Sequence, residues 1–598
     1  MTEIKNAHTF HIPVMGLAFT IDSPLRVAQY GIDSVISIMD DDLIEKMTAF
    51  YSDKFRRPYL EVTQKMEDFR AKRITNYLNL MDSVIAEKFE TYKQELTEQQ
   101  HKLEEFMSFL PSSSELKFKL AQAVAAGKQN FSEIKSVLDE YFRPGSIDVN
   151  IMTKVDKDNF SKKEQLPTIY NDAHAALRGF ANSTTQSSVV FSAGMNPRLY
   201  SYIEAFDDFY PDIKGGFRKK IILKVSDFRS AMVQANFLAK KGLWVSEFRI
   251  ESGLNCGGHA FATDGHLLGP ILEEFKTRRK ELEQVSYDLF SKALESKGKV
   301  IPDTIPTVKY TVQGGVGTAE EHQFLLDHYE MDSVGWGSPF LLVPEATSVD
   351  QETRELLANA KKEDLYLSNI SPLGVPFNTV RGTSNELLKS RRATSGKAGS
   401  SCPKKYLALN KEYEAEGICT ASRKYQDRKI HELNERQSDL SPEHYNKAHA
   451  AITEKSCLCV GLANASYLEL GIPVKGQAQG VVVCPGPNMA YFSKTYSLKE
   501  MIHHIYGEKS GEDHTDRPNM MLKELNLYID NLAGQLKDRI EITPQQLKKW
   551  EAFKSNLLQG ISYYKALFQN SPSFRKDQSN ILKQLSQYEV ELLKLQPL

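Results

Sequence analysis

Eight short runs of apolar and β-branched residues recur along the chain, and they restrict its fold more than any other feature. They are HIPVMGLAF from His11, SVISI from Ser34, SIDVNIM from Ser146, SSVVFSAG from Ser187, KKIILKVS from Lys219, VSEFRI from Val245, VKYTVQGG from Val308 and DSVGWG from Asp332. Runs of this length and composition read as buried strands. Most of the last six end in, or run into, Gly or Ser, and segments with helical spacing separate most of them. In the first unit, Ser23-Pro24 opens a helix and Gly31 closes it. Strand–helix alternation predicts a parallel α/β architecture. The last six repeats plus the opening strand–helix–strand unit approach the eight needed to close a (β/α)8 TIM barrel; an open doubly wound sheet is the alternative. Either fold places functional residues at the C-terminal ends of the strands, where the Gly-rich peptides fall.

Three stretches break the alternation. From 41 to 142 charged residues dominate, and Ile74, Leu78, Met81, Ile85, Phe89, Tyr92 and Leu96 step by three or four. That stripe is a packing face, so the stretch reads as an α-helical insertion between the start of the barrel (1–40) and its remainder (143–347). Residues 348–490 are polar, loop-rich and hold most of the cysteines. Residues 491–598 read as a mostly helical C-terminal region. There Thr543-Pro544-Gln545-Gln546 has the form of a capping box. Ile581, Leu585, Tyr588, Leu592 and Leu595 form a seam for another helix, either in the insertion or in a second subunit.

Composition removes several function classes. Among 598 residues, 75 Lys and Arg face 77 Asp and Glu, so no global field favours nucleic acid or an acidic membrane. No apolar run has the length needed to cross a bilayer, and MTEIKNAHTF lacks the pattern of a secretory signal. Six Cys are too sparse for a disulfide scaffold. These features lead to the expectation of a cytoplasmic protein with reduced thiols and a small-molecule substrate, and of self-association through the helical regions.

Three peptides carry chemistry. Gln313-Gly314-Gly315-Val316-Gly317-Thr318 links a strand to a helix. Glycines permit close approach and positive φ, and a helix N-terminus offers N–H groups and a positive dipole end, which together suit a phosphate. Ser333-Val334-Gly335-Trp336-Gly337-Ser338-Pro339-Phe340, one unit later, is a second such turn. Barrels often hold a phosphate between their last two strands; an ordinary tight turn is the competing reading for each. The third peptide is Asn255-Cys256-Gly257-Gly258-His259. A His behind two glycines at a strand end has a view of the site and a pKa suited to proton transfer. A structural His bonded to a nearby carbonyl is the alternative.

In this order, the peptides resemble the nitronate monooxygenase (2-nitropropane dioxygenase) family of FMN-dependent TIM barrels, which also includes flavin-dependent enoyl-acyl-carrier reductases. PVMGLAFTIDSPLRVAQYG stands where that family has its Met/Gly/Ala-rich opening loop, and Asn150 matches an Asn of its second strand. Cys256-Gly257-Gly258-His259 matches the Ala-Gly-Gly-His peptide, and the turns at 314–318 and 333–340 match the phosphate-binding peptides; LLVPEA follows as it does in the family. The resemblance implies FMN as cofactor, its phosphate on Gly314, Gly315, Gly317, Thr318, Gly337 and Ser338, its ring over Met15 and Gly16, and Gly258 close by. It implies Asn150 and Lys224 as donors to the flavin's polar edge; for Lys224 a salt bridge is the alternative. It implies His259 as catalytic acid or base beside the substrate. Asn255-Cys256 replaces the family's acidic-Ala pair, which points to a different substrate. Two other readings stay open: a non-flavin barrel that binds a phosphorylated substrate through the same turns, and a degenerate barrel acting as a scaffold.

Cys402, Cys419, Cys457 and Cys459 lie beyond the resemblance. Four thiolates suffice for an iron–sulfur cluster or a zinc ion. Their spacing follows no standard pattern, and buried apolar thiols are the alternative.

Overall fold

The computed structural model describes residues 6–125, 131–192, 194–255, 258, 264–474, 479–509, 511, 517–537 and 543–595. All eight runs form strands: β1 (Phe10–Ile12), β2 (Asp33–Ser37), β3 (Ile147–Ile151), β4 (Ser188–Phe191), β5 (Lys220–Val225), β6 (Val245–Glu251), β7 (Lys309–Gln313) and β8 (Ser333–Gly335). Each pairs in parallel with its neighbour in sequence, and β1 closes the ring on β8 through Phe10↔Val334 and His11↔Gly335. The sheet is therefore a closed (β/α)8 TIM barrel rather than an open doubly wound sheet.

Side-chain alternation divides each strand between two environments. Ile147, Val149 and Ile151 of β3 join the main apolar core with the helices, as do Ile221, Leu223 and Val225 of β5. The residues between them face the barrel interior. There Val14, Val35, Val190 and Ile222 form a small apolar layer. Beside it lies a buried charge cluster on β3, β6 and β7. The Arg249 guanidinium reaches Glu247 at 2.7 Å and Asp148 at 3.8 Å, and Thr311 donates to Glu247 at 2.6 Å. Burial pushes the Asp148 carboxyl up to about 7 even with Arg249 beside it.

The first helix, α1 (Ser23–Val27), is preceded by Asp22 as cap, one residue earlier than expected. The Ser23 hydroxyl donates instead to the Ala346 carbonyl at 2.6 Å. Gly31 ends the following turn at φ +79°, as the sequence implies.

Residues 41–142 fold as α2 (Asp41–Lys54), α3 (Phe69–Glu98), α4 (Gln100–Phe109), α5 (Glu115–Ala125) and α6 (Phe131–Tyr141). They serve two cores. The first half of α3 packs on α1, α2 and the helix after β3, and its Ile74, Tyr77, Leu78, Met81 and Ile85 belong to the main core. Phe89 and Leu96, farther along the stripe, join a second core with Leu103, Phe106, Leu120 and Leu138. At about 1.5 Å per residue, a helix of 30 residues is long enough to do both. Its half of the wall is a barrel helix; only the remainder projects.

α7 (Asp172–Ala181), α8 (Pro197–Tyr202), α9 (Phe228–Ala239), α10 (Leu268–Ser296) and α11 (Ala319–Asp327) follow β3 to β7 in turn, and α12 (Gln351–Ala358) follows β8. An antiparallel hairpin, β9 (Leu365–Ser368) and β10 (Phe377–Val380), comes next. It leads into α13 (Ser384–Thr394), α14 (Arg423–Glu435), α15 (Pro442–Thr453) and α16 (Leu458–Glu469). The C-terminal region is helical throughout its regular elements: α17 (Leu498–Ile505), α18 (Met520–Lys537), α19 (Pro544–Asn570) and α20 (Gln578–Lys594). Thr543 and Gln546 form the expected capping box at the start of α19. The seam on α20 packs against α18 and α19, with Ile581, Leu585 and Leu592 buried. The partner of the seam is thus neither the insertion nor a second subunit. Among the described residues no helix is long and apolar enough to cross a membrane.

Candidate active site

The interior at the C-terminal strand ends is polar. β6 carries Glu247, Arg249 and Glu251 at alternate positions, so all three face the same side. The Glu251 carboxylate accepts from Lys224 Nζ at 3.1 Å, Asn255 Nδ2 at 2.6 Å and Gln313 Nε2 at 2.7 Å. Across the ring, Ser37 and Asn150 are register partners on β2 and β3. Ser37 Oγ and Asn150 Oδ1 are buried without a hydrogen-bond partner among the described residues. A buried polar atom left unpaired costs about 1–3 kcal/mol, so two on neighbouring strand ends call for a ligand or water that supplies the missing bond.

The structure thus brings Asn150 and Lys224 to one end of the barrel, with Lys224 in a salt bridge. Glu251, Gln313 and Ser37 are functional candidates that the sequence reading missed. A signal was present: charge at every second residue of a strand is foreign to a doubly covered sheet and marks the inside of a barrel.

The two glycine turns are neighbours, because Gln313 pairs with Gly335. Their glycines are explained by packing within the chain. Gly314 and Gly315 adopt φ of +105° and +93°; a Cβ at 314 would lie 2.9 Å from the Asn255 backbone, and one at 315 2.8 Å from Leu254. A Cβ at 317 would meet the Arg517 guanidinium at 2.6 Å. Thr318 caps α11 by accepting from the Glu321 N–H, and Glu321 accepts from the Gly317 N–H at 2.9 Å. The Gly315 carbonyl accepts from Asn488 and Arg517, and the Gly317 carbonyl from His504 Nε2 at 2.8 Å. In a planar trans peptide the N–H points opposite to the C=O. The N–H groups of Val316 and Thr318 therefore point away from these C-terminal residues. Gly337 sits at a negative φ of −100°, and the Ser338 hydroxyl accepts from the Gly486 N–H at 2.8 Å. The Ser338 hydroxyl is engaged within the chain rather than held open.

Met15 is fully buried in the main core, and Gly16, at φ +57°, leaves room for the Phe19 ring. Gly258 lies against Phe377, where a Cβ would stand 2.5 Å from the ring. His259 and Cys256 lie outside the described residues. The described residues on either side of them are held by Glu524 of α18, which accepts from Ser252 Oγ at 3.0 Å, Gly253 N at 3.3 Å and Leu268 N at 2.8 Å. Burial pushes this carboxyl up to about 7, with the three donors pulling it back.

Segments after the barrel hold four of its C-terminal loops. Ser466 of α16 donates to the Ala18 carbonyl after β1, and the Asn378 N–H of β10 donates to the Gly258 carbonyl after β6. Asn488 and Gly486 reach the turns after β7 and β8. The additional layer therefore sits on the functional end of the barrel.

Cys402, Cys419 and Cys459 are buried, Cys457 is half-buried, and none is in a disulfide. Among the described residues no group of three or more Cys, His, Asp or Glu stands arranged to hold a metal ion, so the structure does not support the iron–sulfur or zinc expectation directly.

No protein-family description and no curated protein matches the chain. Among solved structures, FabK from Thermotoga maritima aligns over 88% of this chain and 97% of its own, at 11% identity and a TM-score of 0.33. The enoyl reductase domain of MlnA, from the macrolactin biosynthesis cluster of Bacillus amyloliquefaciens, aligns over 68% and 87%, at 15% identity and 0.32. Nitroalkane oxidase from Streptomyces ansochromogenes aligns over 63% and 84%, at 10% identity and 0.26. Scores this low carry no argument by themselves, and the barrel assignment rests on the closed ring of strands.

Proposed function

We propose that the chain is a flavin-dependent oxidoreductase with FMN at the C-terminal mouth of the barrel. The observation that supports this most is the pair of unpartnered buried atoms, Ser37 Oγ and Asn150 Oδ1, on the interior face that also carries Lys224 and Glu251. Such a face fits the hydrogen-bonding edge of a flavin: Asn150 and Ser37 accept or donate, Lys224 supplies positive charge, and Glu251 holds Lys224, Asn255 and Gln313 in place. The N–H edges of Val316 and Thr318, fixed by the carbonyl anchors behind them, fit a phosphate. The glycines themselves are weaker support, since each has a neighbour in the chain that requires it.

FMN would supply the electron or hydride transfer. The chain would bind and orient it and move a proton through His259, the role implied by the Gly257-Gly258-His259 peptide. Glu524 would hold the described residues on either side of that peptide. The substrate differs from a simple nitronate, in keeping with Asn255-Cys256 before the glycines and the added layer over the mouth.

Purification of the full chain tests the reading. A yellow protein releasing FMN on denaturation is expected. A colourless protein that does not quench the fluorescence of added FMN overturns it, and would leave the phosphorylated-substrate barrel and the scaffold. Retention of the biological role by His259→Ala would then select the scaffold.

A further inference from the structure

An open crevice of about 750 Å3 runs between the projecting half of α3, α4, the start of α17 and the turn Ala28–Tyr30. None of the residues that line it belongs to a barrel strand or to the candidate active site. Crevices of roughly 300–1,000 Å3 are of the size that takes a small molecule.

One wall is aromatic. The Tyr30 ring meets the Tyr92 ring edge-on, with centroids 5.2 Å apart, and the Phe109 ring in the same manner at 5.8 Å. Tyr30 and Tyr92 are only half-buried, so each keeps part of its ring on the crevice. Val84 and Leu498 extend the apolar surface.

Most charges around this wall are neutralised in pairs. Arg57 pairs with Glu87, Lys102 with Glu95 at 2.6 Å and Lys499 with Glu105 at 3.3 Å. Lys88, one turn of α3 before Tyr92, is the lining cation left over. Among the described residues its ammonium has no carboxylate within 4.0 Å and gives one hydrogen bond, to the Leu25 carbonyl of α1. An ammonium has three donors, and one carbonyl satisfies only one of them. Burial, and after it the charges of Lys54 and Arg26, lower the pKa of this group, so its surroundings oppose the cation rather than support it. Glu345 also lines the crevice without an ion pair among the described residues, but it is exposed, where solvent and salt screen its charge.

We propose that this crevice binds an aromatic carboxylate, with its ring on Tyr30 and Tyr92 and its carboxylate on Lys88. A flat ring matches walls that already pack edge to face. The carboxylate supplies the acceptors and the negative charge that Lys88 lacks, through hydrogen bonds strengthened by charge on both sides. The ligand touches the helical insertion and the C-terminal region together and so ties one to the other. Lys88 as a plain cap on the Leu25 carbonyl is the competing reading, and it gives no preference for a negative ligand. This assignment is independent of the flavin reading.

Calorimetric titration of the full chain with naphthoate, and with its neutral counterpart naphthamide, is the test. The acid is expected to bind about 10-fold or more tightly than the amide. Lys88→Gln should abolish that preference, Lys88→Arg should retain most of it, and Tyr92→Ala should weaken both ligands alike. The comparison of acid with amide on the wild-type chain does not depend on any variant folding, and thermal melting of Lys88→Gln shows whether its fold persists. Octanoate, with the same carboxylate and no ring, should bind more weakly than naphthoate; equal affinity would overturn the aromatic assignment. Failure of the wild-type chain to bind naphthoate, equal binding of acid and amide, or a preference that survives in folded Lys88→Gln would overturn the site.

Discussion

Arg517 grips Glu321 at two points, each 2.8 Å long, directly against the glycine turn that follows β7. Both side chains are almost fully buried, at 4% and 3% exposure. The Glu321 carboxylate also accepts from the N–H groups of Gly317 and Met520, so one carboxylate ties the turn to the start of α18.

Arg517→Met leaves Glu321 buried and unpaired, and removal of one partner of such a pair typically costs about 3–5 kcal/mol. The melting temperature of the variant should fall by several degrees. Arg517→Met with Glu321→Gln should recover part of that loss, because no charge is then stranded. A double variant as unstable as the single one would show that the guanidinium acts through packing alone.

Glu524 makes stability depend on pH. Its folded pKa, about 7, lies above the ordinary 4.5. Its contribution is therefore complete below pH 4.5 and is lost as pH rises through 7; the linkage limit is about 3 kcal/mol. Glu524→Gln should reduce the pH dependence of the denaturation midpoint between pH 5 and 8, leaving the slope due to Asp148, which is also raised to about 7 and from a lower ordinary value. Unchanged slopes in the variant would remove Glu524 from this account. Hydrogen exchange at the Gly253 and Leu268 amides, which donate to Glu524, should rise in Glu524→Ala.

Glu251→Gln removes the negative charge that pairs with Lys224. FMN affinity should fall by about 10-fold or more, with only a small change in melting temperature, since the group is at the site and not in the apolar core. Lys224→Met should do the same. A loss of fold with no separate effect on binding would assign the pair to structure.

Gly314→Ala places a Cβ 2.9 Å from the Asn255 backbone at φ +105°. The strain of that conformation alone is about 1–3 kcal/mol. The variant should be destabilised and should also weaken FMN binding, because Asn255 cannot move without releasing Glu251. Gly298→Ala, also at positive φ but in open space, is the control for backbone strain without collision.

The barrel was legible because its strands are local patterns: β-branched runs such as Ile221–Val225 recur eight times, and several of them run into Gly or Ser. The helical stripe on α3 was equally readable. Its division between two cores was not, since spacing shows a face without showing what covers it. Asn150 and Lys224 were found through resemblance and position. Glu251 was passed over because a charged strand end reads as solvent-exposed until the strand is known to line a closed ring. Glu524 lies 272 residues from its partner Ser252, and no periodicity links positions so far apart.

The order of strands, the helical stretches and the candidate peptides follow from the sequence alone, because hydrophobic period and turn chemistry act over a few residues. Tertiary structure decided which polar groups meet: the Lys224–Glu251 pair inside the ring, Arg517 against Gly317, and Glu524 against Ser252. Those contacts depend on where distant segments dock, and docking is set by the shape of the whole core rather than by any stretch of chain within it.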